Sequence, residues 1–107
     1  MSILSLKEEP ILKDFQKYVS EMETERGFDN EPTIQKCLLL GEEVGELFKA
    51  VRKSENIKID HNSDVGTIEN ELADVLIYLL EIANRYDIDL EKAFRDKEEI
   101  NKKRSWK

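Results

Sequence analysis

The chain has 107 residues, 39% hydrophobic, 38% charged and 7% aromatic, with four glycines, two prolines and one cysteine; this suits a single domain with a modest core and excludes collagen-like, low-complexity and disulfide-scaffold classes. The net charge of −7 argues against a general nucleic-acid or anionic-membrane binder. Cys37 alone allows no intrachain disulfide, and no run of about 18 apolar residues or basic-then-apolar leader is visible, so a cytoplasmic protein without a membrane span or secretory signal is expected.

The first predicted helix covers 11–26, where Ile11, Phe15, Tyr18, Val19 and Met22 recur at helical spacing and Gly27 follows as a stop. A second helix is predicted over 33–53, after Pro32, with Ile34, Cys37, Leu38, Gly41, Val44, Phe48 and Val51 forming one apolar stripe and Lys49, Arg52 and Lys53 at its basic end. Residues 54–65 lack a helical period and read as a loop, with a β-like piece at 57–59. The third helix, 66–85, is apolar almost all the way round in LADVLIYLLEIA, which predicts burial of more than one face and therefore subunit association. A fourth helix follows Asp89 as N-cap and runs to about 104. The expected fold is all-α, a four-helix bundle assembling through apolar helices into a dimer or tetramer.

Against this apolar pattern stand Glu42, Glu43 and Glu46 in the second helix and Glu71 and Asp74 in the third. Glu43 and Glu46 are three residues apart, as are Glu71 and Asp74, so each pair shares a helical face. If the two helices are antiparallel neighbours, the four carboxylates converge. Two carboxylates about 5 Å apart repel by roughly 3 kcal/mol at an effective dielectric near 20. A divalent cation removes that conflict, and an all-oxygen set favours Mg²⁺, or Mn²⁺ as a substitute, over Zn²⁺. The plainer reading makes these residues solvated surface charges in local salt bridges, such as Glu46 with Lys49.

The pattern Glu42-Glu43-x-x-Glu46 followed by Glu71-x-x-Asp74, within GEEVGELFKAV and ENELADVLIYLLEIA, resembles the signature of the MazG-like all-α nucleoside triphosphate pyrophosphatases. The similarity extends through Lys97-x-x-x-Asn101-x-x-Arg104 and covers about residues 11–106. The resemblance implies Glu43, Glu46, Glu71 and Asp74 as metal ligands, with Glu42 and Glu43 serving the catalytic step and Glu42 orienting water. It implies Lys97, Asn101 and Arg104 as triphosphate contacts, Tyr78 as a hydroxyl aimed at substrate, and Phe28 near a base-stacking position. The implied reaction is Mg²⁺-dependent hydrolysis of a nucleoside triphosphate, non-canonical or deoxy forms included, to the monophosphate and pyrophosphate, a house-cleaning of the nucleotide pool.

Two other readings compete. Asp60, Asn62, Asp64 and Glu71 approach the ligand positions of a calcium loop, but Val65 stands where that loop needs glycine. Alternatively the chain is a non-enzymatic helical interaction module, whose marker would be scattered rather than paired carboxylates. His61 reads as a solvated loop residue, Cys37 as core packing, and Trp106 as a phosphate cover, a subunit contact or a tail anchor. The charge is also uneven: residues 1–90 carry 10 basic and 20 acidic side chains, whereas residues 91–107 carry seven and four. An acidic body with a basic C-terminal segment suits a metal-bound triphosphate.

Overall fold

The computed structural model describes residues 2–106, which form four α-helices and, among the described residues, no strand. Helix α1 (Leu12–Arg26) starts one residue later than the periodicity suggests, because the Ile11 N–H donates to Asp14 Oδ2 at 2.8 Å and Ile11 becomes the cap. It ends at Gly27, whose φ of 75° is left-handed, and the Phe28 N–H returns to the Glu23 carbonyl at 2.8 Å. Helix α2 (Thr33–Ser54) follows Pro32, and α3 (Ile68–Arg85) follows Thr67, whose hydroxyl accepts from the Asn70 N–H at 3.2 Å. That cap moves the start of α3 past the expected 66.

Helix α4 (Leu90–Asn101) is capped by Asp89, whose carboxylate accepts from the N–H groups of Glu91 and Lys92. It stops short of the expected 104 because the Asn101 carbonyl is taken by the Arg104 N–H at 3.0 Å and the Trp106 indole at 3.1 Å. The 57–59 segment is loop, a correction to the β-like expectation. No helix is long and apolar enough to cross a membrane.

The closest packing is of α2 on α3, with α1 against α3 and α4 against α1. Lys36 meets Glu81 while Glu43 meets Asp74, so residue numbers rise along α2 as they fall along α3 and the two are antiparallel. The core joins Val19 and Met22 of α1 to Leu80 of α3, with Leu12, Phe15, Tyr18 and Ile77 packed around them.

The stripe expected inside on α2 is largely outside. Ile34, Leu38, Phe48, Val51 and Cys37 are all exposed in this chain. The face turned inward instead carries Lys36, Glu43 and Ala50, seven residues apart in turn and so nearly in line along the helix. Lys36 can occupy it because Glu81 of α3 offers the opposite charge, whereas Glu43 meets further acids there.

Candidate metal centre

Because α2 and α3 run antiparallel, the inward side chain of Glu43 lies between Glu71 and Asp74, one turn apart on the opposite helix. One carboxylate oxygen from each of the three falls within 4.8 Å of the others. Glu71 is only 9% exposed. Burial pushes the Glu43 carboxyl above the usual glutamate range, the Asp74 charge adds to the push, and a hydrogen bond with Glu71 and the Glu46 charge contribute further.

Three crowded carboxylates with an elevated pKa among them are short of positive charge. The donors are all oxygens, and among the described residues no His or Cys joins them, so the group suits a hard divalent cation such as Mg²⁺ or Mn²⁺ better than Zn²⁺.

The remaining expected residues are arranged as follows. Glu46 lies outside the three-membered group, its carboxylate 3.6 Å from Lys49 Nζ in the local pair that the plainer reading named. Glu42 is exposed on the flank of α2. Tyr78, one turn beyond Asp74, feels both Glu43 and Asp74, and burial with the Glu81 charge raises its phenol pKa. Lys97 and Asn101 line an open groove of about 650 Å³ whose walls include Leu76 and Leu79 but none of the clustered carboxylates. Arg104 stacks on Trp106, 5.2 Å from the ring centre. The fold of one chain thus joins Glu43, Glu71 and Asp74, with Tyr78 a turn further along α3, and leaves the basic segment apart.

Phe28 is tied to a cluster that the sequence reading missed. Lys36 is 1% exposed and lies 2.6 Å from Glu31, 3.6 Å from Glu23 and 3.6 Å from Glu81. Arg85 donates to Glu23 at 2.8 Å, to the Phe28 carbonyl at 3.0 Å and to the Glu31 carbonyl. The Lys36 ammonium also faces the rings of Phe28 at 5.0 Å and Tyr78 at 5.9 Å. Residue type was the available signal: a lysine two places after Ile34 in an apolar helix, and a glutamate within LLEIA.

The calcium-loop ligands are not gathered. Asp60 accepts from the Asn62 N–H at 2.9 Å in a local turn, while Glu71 faces Glu43 and Asp74. His61 is exposed.

Residues 29–105 match the family model of the MazG nucleotide pyrophosphohydrolase domain. The chain is 31% identical to rat dCTP pyrophosphatase 1 (Rattus norvegicus) and 32% identical to the human protein (Homo sapiens), each match covering 94% of this chain. It spans about 62% of the length of these curated relatives. The crystal structure of iMazG from Vibrio DAT 722 superposes with a TM-score of 0.65 at 33% identity, over 87% of this chain and 99% of that one. Sequence and fold point the same way, and the chain belongs to the MazG nucleotide pyrophosphohydrolase family.

Proposed function

We propose that this chain hydrolyses a nucleoside triphosphate to the monophosphate and pyrophosphate, and that its role is to clear unwanted nucleotides. The observation carrying this reading is the convergence of Glu43, Glu71 and Asp74 within 4.8 Å. Those three residues would hold Mg²⁺, and Glu46, one turn from Glu43, would join them by leaving Lys49. A bound divalent cation supplies charge neutralisation on the phosphates and an activated water. Glu42 and Glu43 orient the attacking water, Tyr78 offers a hydroxyl to the substrate, and Lys97, Asn101 and Arg104 neutralise the phosphate tail. Phe28, held over Lys36, flanks the base.

The acting unit in this proposal is a homodimer or homotetramer in the cytoplasm, which would let basic segments and acidic clusters of different protomers meet. The names of the rat and human relatives make dCTP the first substrate to test, within a panel of ribo-, deoxy- and modified nucleotides.

Pyrophosphate release measured with Mg²⁺, with Mn²⁺ and with chelator tests the reading. Turnover should require metal, and Asp74→Asn or Glu43→Gln should lose more than the roughly 10–100-fold typical of changes outside the ligand set, with the helical circular dichroism intact. Metal-independent turnover, or full activity in either variant, would refute it.

A further inference from the structure

The segment entering α3 contains a glycine whose backbone does not require one. Gly66 has no positive φ, a property found among the glycines only at Gly27. Its distinction is spatial. A Cβ built on Gly66 would lie 2.2 Å from Glu71 Oε1 and 3.2 Å from its Cδ, whereas nothing lies within 4 Å of a Cβ built on Gly27, Gly41 or Gly45.

The helix start explains the contact. Thr67 is the N-cap of α3, so Gly66 is the residue before the cap and Glu71 the fourth residue of the helix. In many helices these two positions carry apolar side chains that pack together and fix the entry of the chain. Here the first has no side chain and the second is a carboxylate, which folds into the space left open. The Thr67 hydroxyl bond to the Asn70 N–H, together with the Glu71 N–H donating to the Thr67 carbonyl at 3.0 Å, holds the backbone in place beside it.

We propose that Gly66 is a positioning residue for the metal centre: its bare backbone forms the seat that holds the Glu71 carboxylate toward Glu43 and Asp74. This rests on the assignment of those three carboxylates as ligands. Gly66→Ala would force Oε1 out of contact. Because the displaced group is the end of a flexible side chain, the fold accommodates the methyl while the ligand set loses its alignment. Removing a glycine with an ordinary φ also restricts the unfolded chain, so the metal-free variant should be at least as stable as the parent.

Mn²⁺ titration by calorimetry, thermal unfolding in chelator, and turnover against Mn²⁺ concentration separate the outcomes. Gly66→Ala should raise the Mn²⁺ Kd about tenfold or more, as changes beside a ligand commonly do, with an unchanged or higher Tm in chelator and with turnover recovered at saturating Mn²⁺. Gly41→Ala, with open space around its new methyl, should bind Mn²⁺ as the parent does. Equal Mn²⁺ affinity in Gly66→Ala and the parent, while Asp74→Asn loses binding, would overturn the seat and leave the ligand assignment standing. A lowered Tm in chelator together with weaker binding would also overturn it, since a general loss of structure would then explain the result. A parent protein that binds no Mn²⁺ would overturn both.

Discussion

Glu43 is a carboxyl group held in conflict. Burial raises its pKa first, the Asp74 charge second, and Glu81 further along α3 is raised by its own burial. In the unfolded chain both return to about 4.3. The folded state therefore takes up protons at higher pH than the unfolded one, so acidification through the elevated range stabilises the metal-free protein, and the gain levels off below the ordinary glutamate value. Lys36 adds no slope in this window: its raised pKa makes its contribution complete below the ordinary lysine value and lost only as pH rises through the folded value. Urea unfolding in chelator should show a higher midpoint near pH 5 than near pH 7, with a smaller rise in Glu43→Gln. With saturating Mg²⁺ the trend should reverse, because protons then compete with the metal for its ligands. An equal pH response in the parent and Glu43→Gln in chelator would show that Glu43 is not under the strain described.

At the scale of elements, the α2–α3 pairing depends on Lys36. Its ammonium is enclosed by Glu23 of α1, Glu31 of the connecting turn and Glu81 of α3, and Arg85 closes the group from the far side. Removing the cation strands buried carboxylates, so Lys36→Met should cost about 3–5 kcal/mol in urea or thermal unfolding, although methionine fills nearly the same volume. A loss below about 1 kcal/mol would mean that the acids adjust by taking up protons. Periodicity made the helices legible: Gly27, Pro32 and Asp89 mark boundaries within a residue or two, because caps and breakers act locally. The paired spacing likewise led to Glu43, Glu71 and Asp74. It did not reveal which face of α2 turns inward, because hydrophobicity pointed to Ile34, Leu38 and Phe48, whereas the face packed on α3 carries Lys36 in an ion network, with Glu43 and Ala50 in line with it. Charge pairing across an interface depends on both helices at once, and a pattern read along one helix cannot contain it. Glu46, which spacing and resemblance group with the ligands, has its carboxylate 3.6 Å from Lys49 Nζ, a pair within one helix that was legible in the sequence as well.

At the scale of the whole molecule, the single chain is too open for its mass. Its accessible surface is 8511 Å², whereas a folded monomer of 12.5 kDa is expected to expose about 6,200 Å². The radius of gyration is 16.5 Å against about 13 Å for a compact domain of this length. The excess of about 2,300 Å² per chain exceeds the roughly 800 Å² that each partner contributes to a standard interface. Ile34, Leu38 and Phe48 on α2 and Leu72, Leu76 and Leu79 on α3 supply apolar surface of the kind found in obligate interfaces. Light scattering at micromolar concentration should give a dimer or tetramer, and Phe48→Asp should shift it toward monomer. A monomeric parent protein with a small-angle scattering radius near 16.5 Å would contradict the assembly.

The alignment of Lys36 and Glu43 on one face of α2 has a mechanical consequence. Seven residues of helix separate the two Cα atoms by about 10.5 Å, more than a Debye length of about 8 Å in physiological salt. Water and ions therefore weaken the direct electrostatic coupling between the two clusters where solvent reaches, yet the intervening helix is stiff. The attractive contact at Lys36 works as a clamp two turns from the repulsive one at Glu43. It fixes how far α2 can slide past α3, since a slip of one turn, about 5.4 Å, would carry the ammonium away from Glu81. Glu43 is thereby kept in register with Glu71 and Asp74 by a rod clamped two turns away, so the approach of the three carboxylates is set by the pairing of the helices.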